Sequence, residues 1–148
     1  MNLDEITSYI CKQFPIAVHL GANVELYDGK RVVISSPLAP NRNHTNTAFG
    51  GSVAALAILS GWVLLYLKLE EMGIKNRLVI QKSSFEFRKP IDSDFKAVCT
   101  MPEEKRWNRF IDTLKKHNRA RITIYSKMEY LSGIGGFYKG VYAAFIPK

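Results

Sequence analysis

The stretch AFGGSVAALAILSGWVLLYL, residues 48–67, runs twenty residues without a charge. A segment of that length and composition can cross a bilayer. It can equally be the buried central helix of a folded domain, since a helix that is apolar all round must be enclosed by something. Three features favour the second reading. Gly50, Gly51 and Ser52 resemble a helix start, which leaves about 16 apolar residues before Lys68. The flanks carry no basic asymmetry, with Arg42 on one side and Lys68 and Lys75 beside Glu70 and Glu71 on the other. The surrounding segments read as strands, which need an apolar element to pack against.

Upstream, Asn2 and Glu5 have the spacing of an N-cap and its third helical residue. Leu3, Ile6 and Ile10 recur at helical spacing, so a first helix of about three turns is expected to end near Pro15. In VELYDGKRVVIS, Asp28-Gly29 marks a hairpin turn between two short strands. A polar, proline-bounded loop, PLAPNRNHTNT, then leads into the uncharged stretch.

Downstream, Gly73 stops the helix and the period changes. LVIQKSSFEF alternates as a strand, with Phe85 and Phe87 on one face and Glu86 and Arg88 on the other. FKAVCTM is a second strand. Thr100, Pro102 and Glu103 open an amphipathic helix in which Trp107, Phe110, Ile111 and Leu114 share one face. RARITIYSKMEYL makes another strand, and FYKGVYAAFI a last one after Gly133, Gly135 and Gly136. With no βαβ alternation and no repeat, the expected architecture is α+β: one antiparallel sheet curled around one apolar helix, in a single domain over 1–148.

Composition narrows the function classes. The 148 residues are 47% apolar and 23% charged, which excludes a disordered chain. Two cysteines, Cys11 and Cys99, make no disulfide framework, and the start MNLDEITSYI lacks the pattern of a signal peptide, so a reducing cytoplasmic setting is expected. His19, His44 and His117 have no metal-ligand spacing, so no metal is expected. The net charge of +8 is uneven: residues 1–74 carry −1 and residues 75–148 carry +9. In KRWNRFIDTLKKHNRAR, residues 105–121, seven basic residues accompany one acid, Asp112. Such a field suits an anionic partner, or is a solvated helix face.

No G-x-S-x-G elbow, P-loop or H-E-x-x-H is present. What remains is the junction N43-H-T-N-T-A-F-G-G-S52. The first N–H groups of a helix are unpaired and lie at the positive end of its dipole. Glycine there allows close approach, so the junction can hold an anion or polarise a carbonyl. A tight turn with Ser52 as cap is the simpler alternative.

This junction resembles that of the hotdog-fold thioesterases, in which a sheet wraps a long helix. Asn43 is similar to the family's loop Asn or Asp, Gly50-Gly51 match its glycine pair, and Phe49 stands where its His usually does. The strand end F87-R-K-P90 is similar to the aromatic-x-x-Pro of many hotdog proteins. Thr47–Ser52 (T-A-F-G-G-S), followed by Gly61-Trp62, most resembles the bacterial thioesterase domain of the YiiD C-terminal type. The resemblance implies hydrolysis of an acyl-CoA or acyl-carrier-protein thioester without a cofactor. It places the thioester oxygen at the backbone N–H of Gly50 or Gly51, with Asn43 and Asn46 orienting water or substrate. Thr47 and Phe49 would line the substrate site, and Arg88, Lys89 and the 105–121 cluster are candidates for CoA phosphates. Hotdog sites lie at subunit interfaces, so a homodimer, or a dimer of dimers, is implied.

Many hotdog hydrolases carry a carboxylate about two turns into the helix, where this chain has Ile58. Ser60 is the polar side chain nearby, either a substrate contact or a packing residue bonded back to a carbonyl. A non-catalytic acyl-CoA-binding protein is therefore the alternative to an enzyme. A nucleic-acid module is a third reading, but Trp107, Phe110 and Tyr125 fall on a helix's apolar face or in a strand. Neither a nucleic acid nor a membrane is expected as a partner.

Overall fold

The uncharged stretch forms the central element of the computed structural model, which describes residues 1–148. Helix α3 spans Gly50–Glu71, and half of its residues are buried, among them Leu56, Leu64, Leu65 and Leu69 with no exposed surface. By length and hydropathy α3 is able to cross a membrane, yet it is mostly enclosed by the rest of the chain.

What encloses it is one six-stranded sheet: β1 (Asn23–Tyr27), β2 (Arg31–Ser36), β3 (Arg77–Phe87), β4 (Phe95–Thr100), β5 (Arg119–Tyr130) and β6 (Gly133–Phe145). The spatial order is β1-β2-β4-β5-β6-β3, and every pairing is antiparallel. Alternation is clear in β5, where Ala120, Ile122, Ile124, Ser126 and Met128 are buried and face α3. Arg119, Arg121, Tyr125 and Lys127 point from the sheet's outer face. Strand β3 lies at one edge with only β6 beside it. The α+β arrangement of a sheet wrapped around a helix is the one the sequence led us to expect.

Local chemistry sets the ends. The Asn2 side chain caps α1 (Leu3–Gln13) by accepting from the Glu5 N–H at 2.8 Å. A second helix, α2 (Pro15–Leu20), follows at once, because Pro15 has no N–H to lose at a first-turn position. The apolar spacing of the sequence ends the helix at Pro15 and carries no sign of this restart. At the hairpin, Gly29 has φ +83° and the Asp28 carboxylate accepts from the Lys30 and Arg31 N–H groups. Those bonds hold its pKa below the usual range. Gly135 and Gly136 lie inside β6 rather than ahead of it; the Phe85 ring occupies the space a side chain at 136 would need.

Helix α4 (Glu104–His117) buries Trp107, Phe110, Ile111 and Leu114 against the end of the core and turns its charges outward. Glu104 in its first turn and Lys115, Lys116 and His117 in its last complement the helix dipole.

Candidate functional site

The loop before α3 is built by one side chain. Asn43 Oδ1 accepts from the Thr45 N–H (2.9 Å), the Thr45 hydroxyl (2.9 Å) and the Thr47 N–H (3.1 Å). Its Nδ2 donates to Thr47 Oγ1 at 2.8 Å. The backbone reinforces the turn, with the Asn43 N–H donating to Thr47 O. Asn43 and Thr47 are thus brought together as the frame of the loop. Asn46, at its tip, has φ +60°, a left-handed conformation that Asn tolerates better than most residues. Its side chain is exposed and makes no hydrogen bond within the chain.

Asn41, which no sequence motif marks, anchors the other end. It is buried, and its Nδ2 donates to Leu20 O (2.9 Å) and Pro37 O (2.8 Å). Its own carbonyl accepts from the Phe49 N–H at 2.7 Å. One residue therefore ties α2, the proline-bounded loop and the start of α3 together. Its only sequence signal is a polar residue set in a proline-rich turn, too common to single out.

Phe49 is the N-cap of α3, with extended backbone and no side-chain cap. Its carbonyl accepts from both the Ser52 (3.0 Å) and the Val53 (3.1 Å) N–H groups. The N–H groups of Gly50 and Gly51 are left with no acceptor in the chain. Two aromatic rings frame them: Phe49 lies over Gly51, and Phe87, at the end of β3, stands beside Gly50. Both rings are exposed, at 57% and 56%, so Phe49 does not fill the core. Phe85 and Phe87 pack with their rings tilted at 45°, centroids 4.5 Å apart, and extend the apolar wall along β3. The arrangement offers two free donors at the positive end of a 22-residue helix, set in an apolar surround.

Two other expected site residues stand apart. Ser60 is fully buried, donates to Ala57 O at 2.7 Å and shares a 2.9 Å hydrogen bond with Ser126. With no accessible surface it is a packing residue and not a substrate contact. Cys99 is buried beside this pair, and burial pushes its thiol up to about 12. Arg88 is turned onto the sheet's outer face, 2.9 Å from the Glu86 carboxylate and 5.3 Å from the centre of the Phe137 ring. Lys89 follows Phe87 by two residues and makes no ion pair. No cluster of three His, Cys, Asp or Glu side chains suited to a metal ion occurs.

Residues 3–146 match a family model described as "Putative thioesterase (yiiD_Cterm)". Among solved structures, a protein of unknown function from Chlorobaculum tepidum superposes with TM-score 0.91 at 25% identity, over 97% of this chain and 94% of that one. A putative thioesterase from Shewanella oneidensis gives 0.86 at 18% identity, over 98% and 97%. A thioesterase from Haemophilus influenzae gives 0.77 at 15% identity, over 99% and 92%. These likenesses establish the hotdog fold.

Proposed function

The chain belongs to that thioesterase family, and from this premise we propose that it hydrolyses an acyl thioester carried on coenzyme A or an acyl carrier protein. The observation that carries the reading is the pair of unpaired N–H groups at Gly50 and Gly51. A thioester oxygen placed there accepts both donors. As water adds to the carbonyl carbon, that oxygen gains negative charge in front of the helix dipole. Collapse breaks the C–S bond; one proton of the added water ends on the departing thiolate and the other passes to solvent, leaving a free thiol and a carboxylate.

Water is oriented by the Asn46 amide, which has no partner inside the chain, while Asn43 and Thr47 hold the loop that presents it. Phe49 and Phe87 receive the start of the acyl chain, and Lys89, two residues beyond Phe87 and free of any ion pair, is the candidate partner for a phosphate of the carrier group. Helix α3 carries no carboxylate before Glu70, so in this reading catalysis rests on positioning and oxyanion stabilisation.

The exposed rings imply a second surface that closes the acyl site, and the free edge of β3 supports a homodimer as its source. Eleven residues of unpaired strand edge are an open template for another strand. Antiparallel pairing of two such edges would set the apolar walls of both protomers at one interface, and two dimers could pair further. The paired-free thiols Cys11 and Cys99 suit a reducing cytoplasm.

A panel of acyl-CoA and acyl-carrier thioesters of graded chain length, followed by free-thiol release, tests the reading. Turnover of some member above the buffer rate is expected. The apolar Ile58 at the family's carboxylate position favours a second reading, a non-catalytic acyl-CoA binder. Saturable binding with no thiol released from any member would establish that one instead.

A further inference from the structure

Between Val53 and Leu65, helix α3 keeps open surface at only four positions: Ala54, Ala55, Ile58 and Trp62. Their spacing puts them on one face of the helix, so they form a single apolar strip leading away from Gly50 and Gly51. The strip has a wall on each side. Strand β3 lies along one, from Leu78 at Trp62 to Phe87 beside Gly50, and it turns Ile80 and Phe85 inward, half-buried against the core. Helix α2 lies along the other. Phe14, just before it, packs on Trp62, and Leu20, at its end, is tied through Asn41 to the Phe49 N–H.

Trp62 closes the far end of this channel. Its Nε1 donates to Leu78 O at 2.8 Å, which fixes the indole to β3. Toward the other wall its ring meets Phe14 edge-on, with centroids 4.7 Å apart. Tyr66 stacks on it, 4.9 Å away with the planes 9° apart, and Tyr9 stacks on Tyr66 in turn. The indole is thus held across the channel by both walls and backed by further rings.

We propose that Trp62 sets the upper length of the acyl chain, and that the preferred substrates are medium-chain thioesters. The inference rests on the thioesterase reading, which places the carbonyl at Gly50 and Gly51. The strip is the apolar surface that continues from that point between Phe49 and Phe87. Gly51 and Trp62 are eleven residues apart, about 16 Å along the helix axis. An extended alkyl chain advances about 1.25 Å per carbon, the projection of a C–C bond of about 1.5 Å. It therefore meets the indole at about twelve carbons. Up to that length each methylene gains apolar contact with Ala55, Ile58 and Phe85; beyond it the chain must bend out of the channel. A second protomer lying over the strip would add a roof and leave the end wall in place.

The test is calorimetric binding of S-alkyl-coenzyme A thioethers from butyl to octadecyl, which report on the channel without hydrolysis. Affinity should rise about twofold to fourfold per methylene, level off near dodecyl and fall for octadecyl. Ile58→Phe sets a ring about 10 Å from Gly51 and should move the maximum down to about octyl. Trp62→Ala opens the end and should carry the maximum past dodecyl, while Trp62→Phe, which keeps a ring, should leave it near dodecyl. A loss of stability weakens every length alike, so only movement of the maximum supports Trp62. Ile58→Phe decides the matter if Trp62→Ala melts below the assay temperature. Absence of binding by every thioether, affinity indifferent to length, or a rise unbroken to octadecyl overturns the proposal. So does an unmoved maximum in Ile58→Phe; with a smaller particle in gel filtration, that result assigns the strip to a seam between two copies. A dodecyl maximum in a protein that releases thiol from no thioester keeps the channel and loses the hydrolase reading; hydrolysis indifferent to chain length does the reverse.

Discussion

The Tyr142 hydroxyl donates to the Ile58 carbonyl, 2.6 Å away, within the turn of α3 that contains Gly61. A β-carbon at 61 would overlap that hydroxyl, so the glycine is what lets a tyrosine from β6 reach the helix backbone. Tyr138 extends the contact, its hydroxyl 2.8 Å from that of Tyr142. Gly61→Ala is therefore expected to destabilise the fold by about 1–3 kcal/mol through overpacking. Tyr142→Phe removes the nearest overlapping atom but keeps the ring carbons, which would still lie 2.6 and 2.8 Å from that β-carbon, so the double variant should lose somewhat less than the sum of the two single changes. Additive losses in denaturant melts would show that the clash is relieved elsewhere.

The buried hydroxyls and thiol predict how stability responds to alkali. Burial raises the thiol of Cys99 from 9.0 to about 12 and the phenol of Tyr138 from 10.0 to about 12, and raises Tyr142 as well. Above pH 9 the unfolded chain gives up protons that the folded chain keeps. Unfolding then releases protons, and stability falls as pH rises. Melting temperature should hold from pH 7 to 8.5 and drop between pH 9 and 11. Each group adds up to about 1.4 kcal/mol per pH unit within its window. Cys99→Ala should shift the onset upward toward 10, where the tyrosines begin; an unchanged profile would remove the thiol from this account. The same burial predicts that a thiol reagent titrates Cys11 in the native protein and Cys99 only after denaturation.

Asn43 and Asn46 separate by mutation. Asn43→Ala deletes three acceptor bonds and one donor bond, and should cost about 1–2 kcal/mol of stability together with most of the turnover. Asn43→Asp keeps the acceptors and should melt near the parent. Asn46→Gly preserves the left-handed backbone and removes only the side chain, so stability should hold while thiol release falls about tenfold. Full turnover in Asn46→Gly would confine that residue to shaping the turn.

How far the sequence could be read follows from the kind of signal each element leaves. Helix α3 was legible because twenty uncharged residues need burial wherever they sit, and each strand around it alternates or carries a turn signal at its end. The glycine pair was legible because the unpaired donors of a helix start follow from backbone geometry alone. Asn41 and Ser60 were not, since their roles depend on partners distant in sequence: Leu20 for one, Ser126 for the other. Arg88 was read as a free cation beside the site, but Glu86 and Phe137 draw it to the outer face. Likewise α2 was lost because a proline both ends one helix and begins the next.

Gly50→Ala offers the sharpest test of the oxyanion site. A β-carbon there would stand 3.4 Å from the Phe87 ring, an ordinary contact, so the fold should absorb it. Alanine also favours the helix over glycine, so melting temperature should stay level or rise slightly. The methyl group nonetheless crowds the approach to the N–H groups of Gly50 and Gly51. Loss of one oxyanion donor costs about a hundredfold or more in turnover, and a partly blocked one about tenfold. Thiol release should fall by that order in kcat, while the affinity for a non-hydrolysable acyl-CoA thioether, which lacks the carbonyl oxygen, changes little. Parallel loss of binding and turnover would mean that Gly50 lines the acyl path, and would move the polarising donor to Gly51 alone.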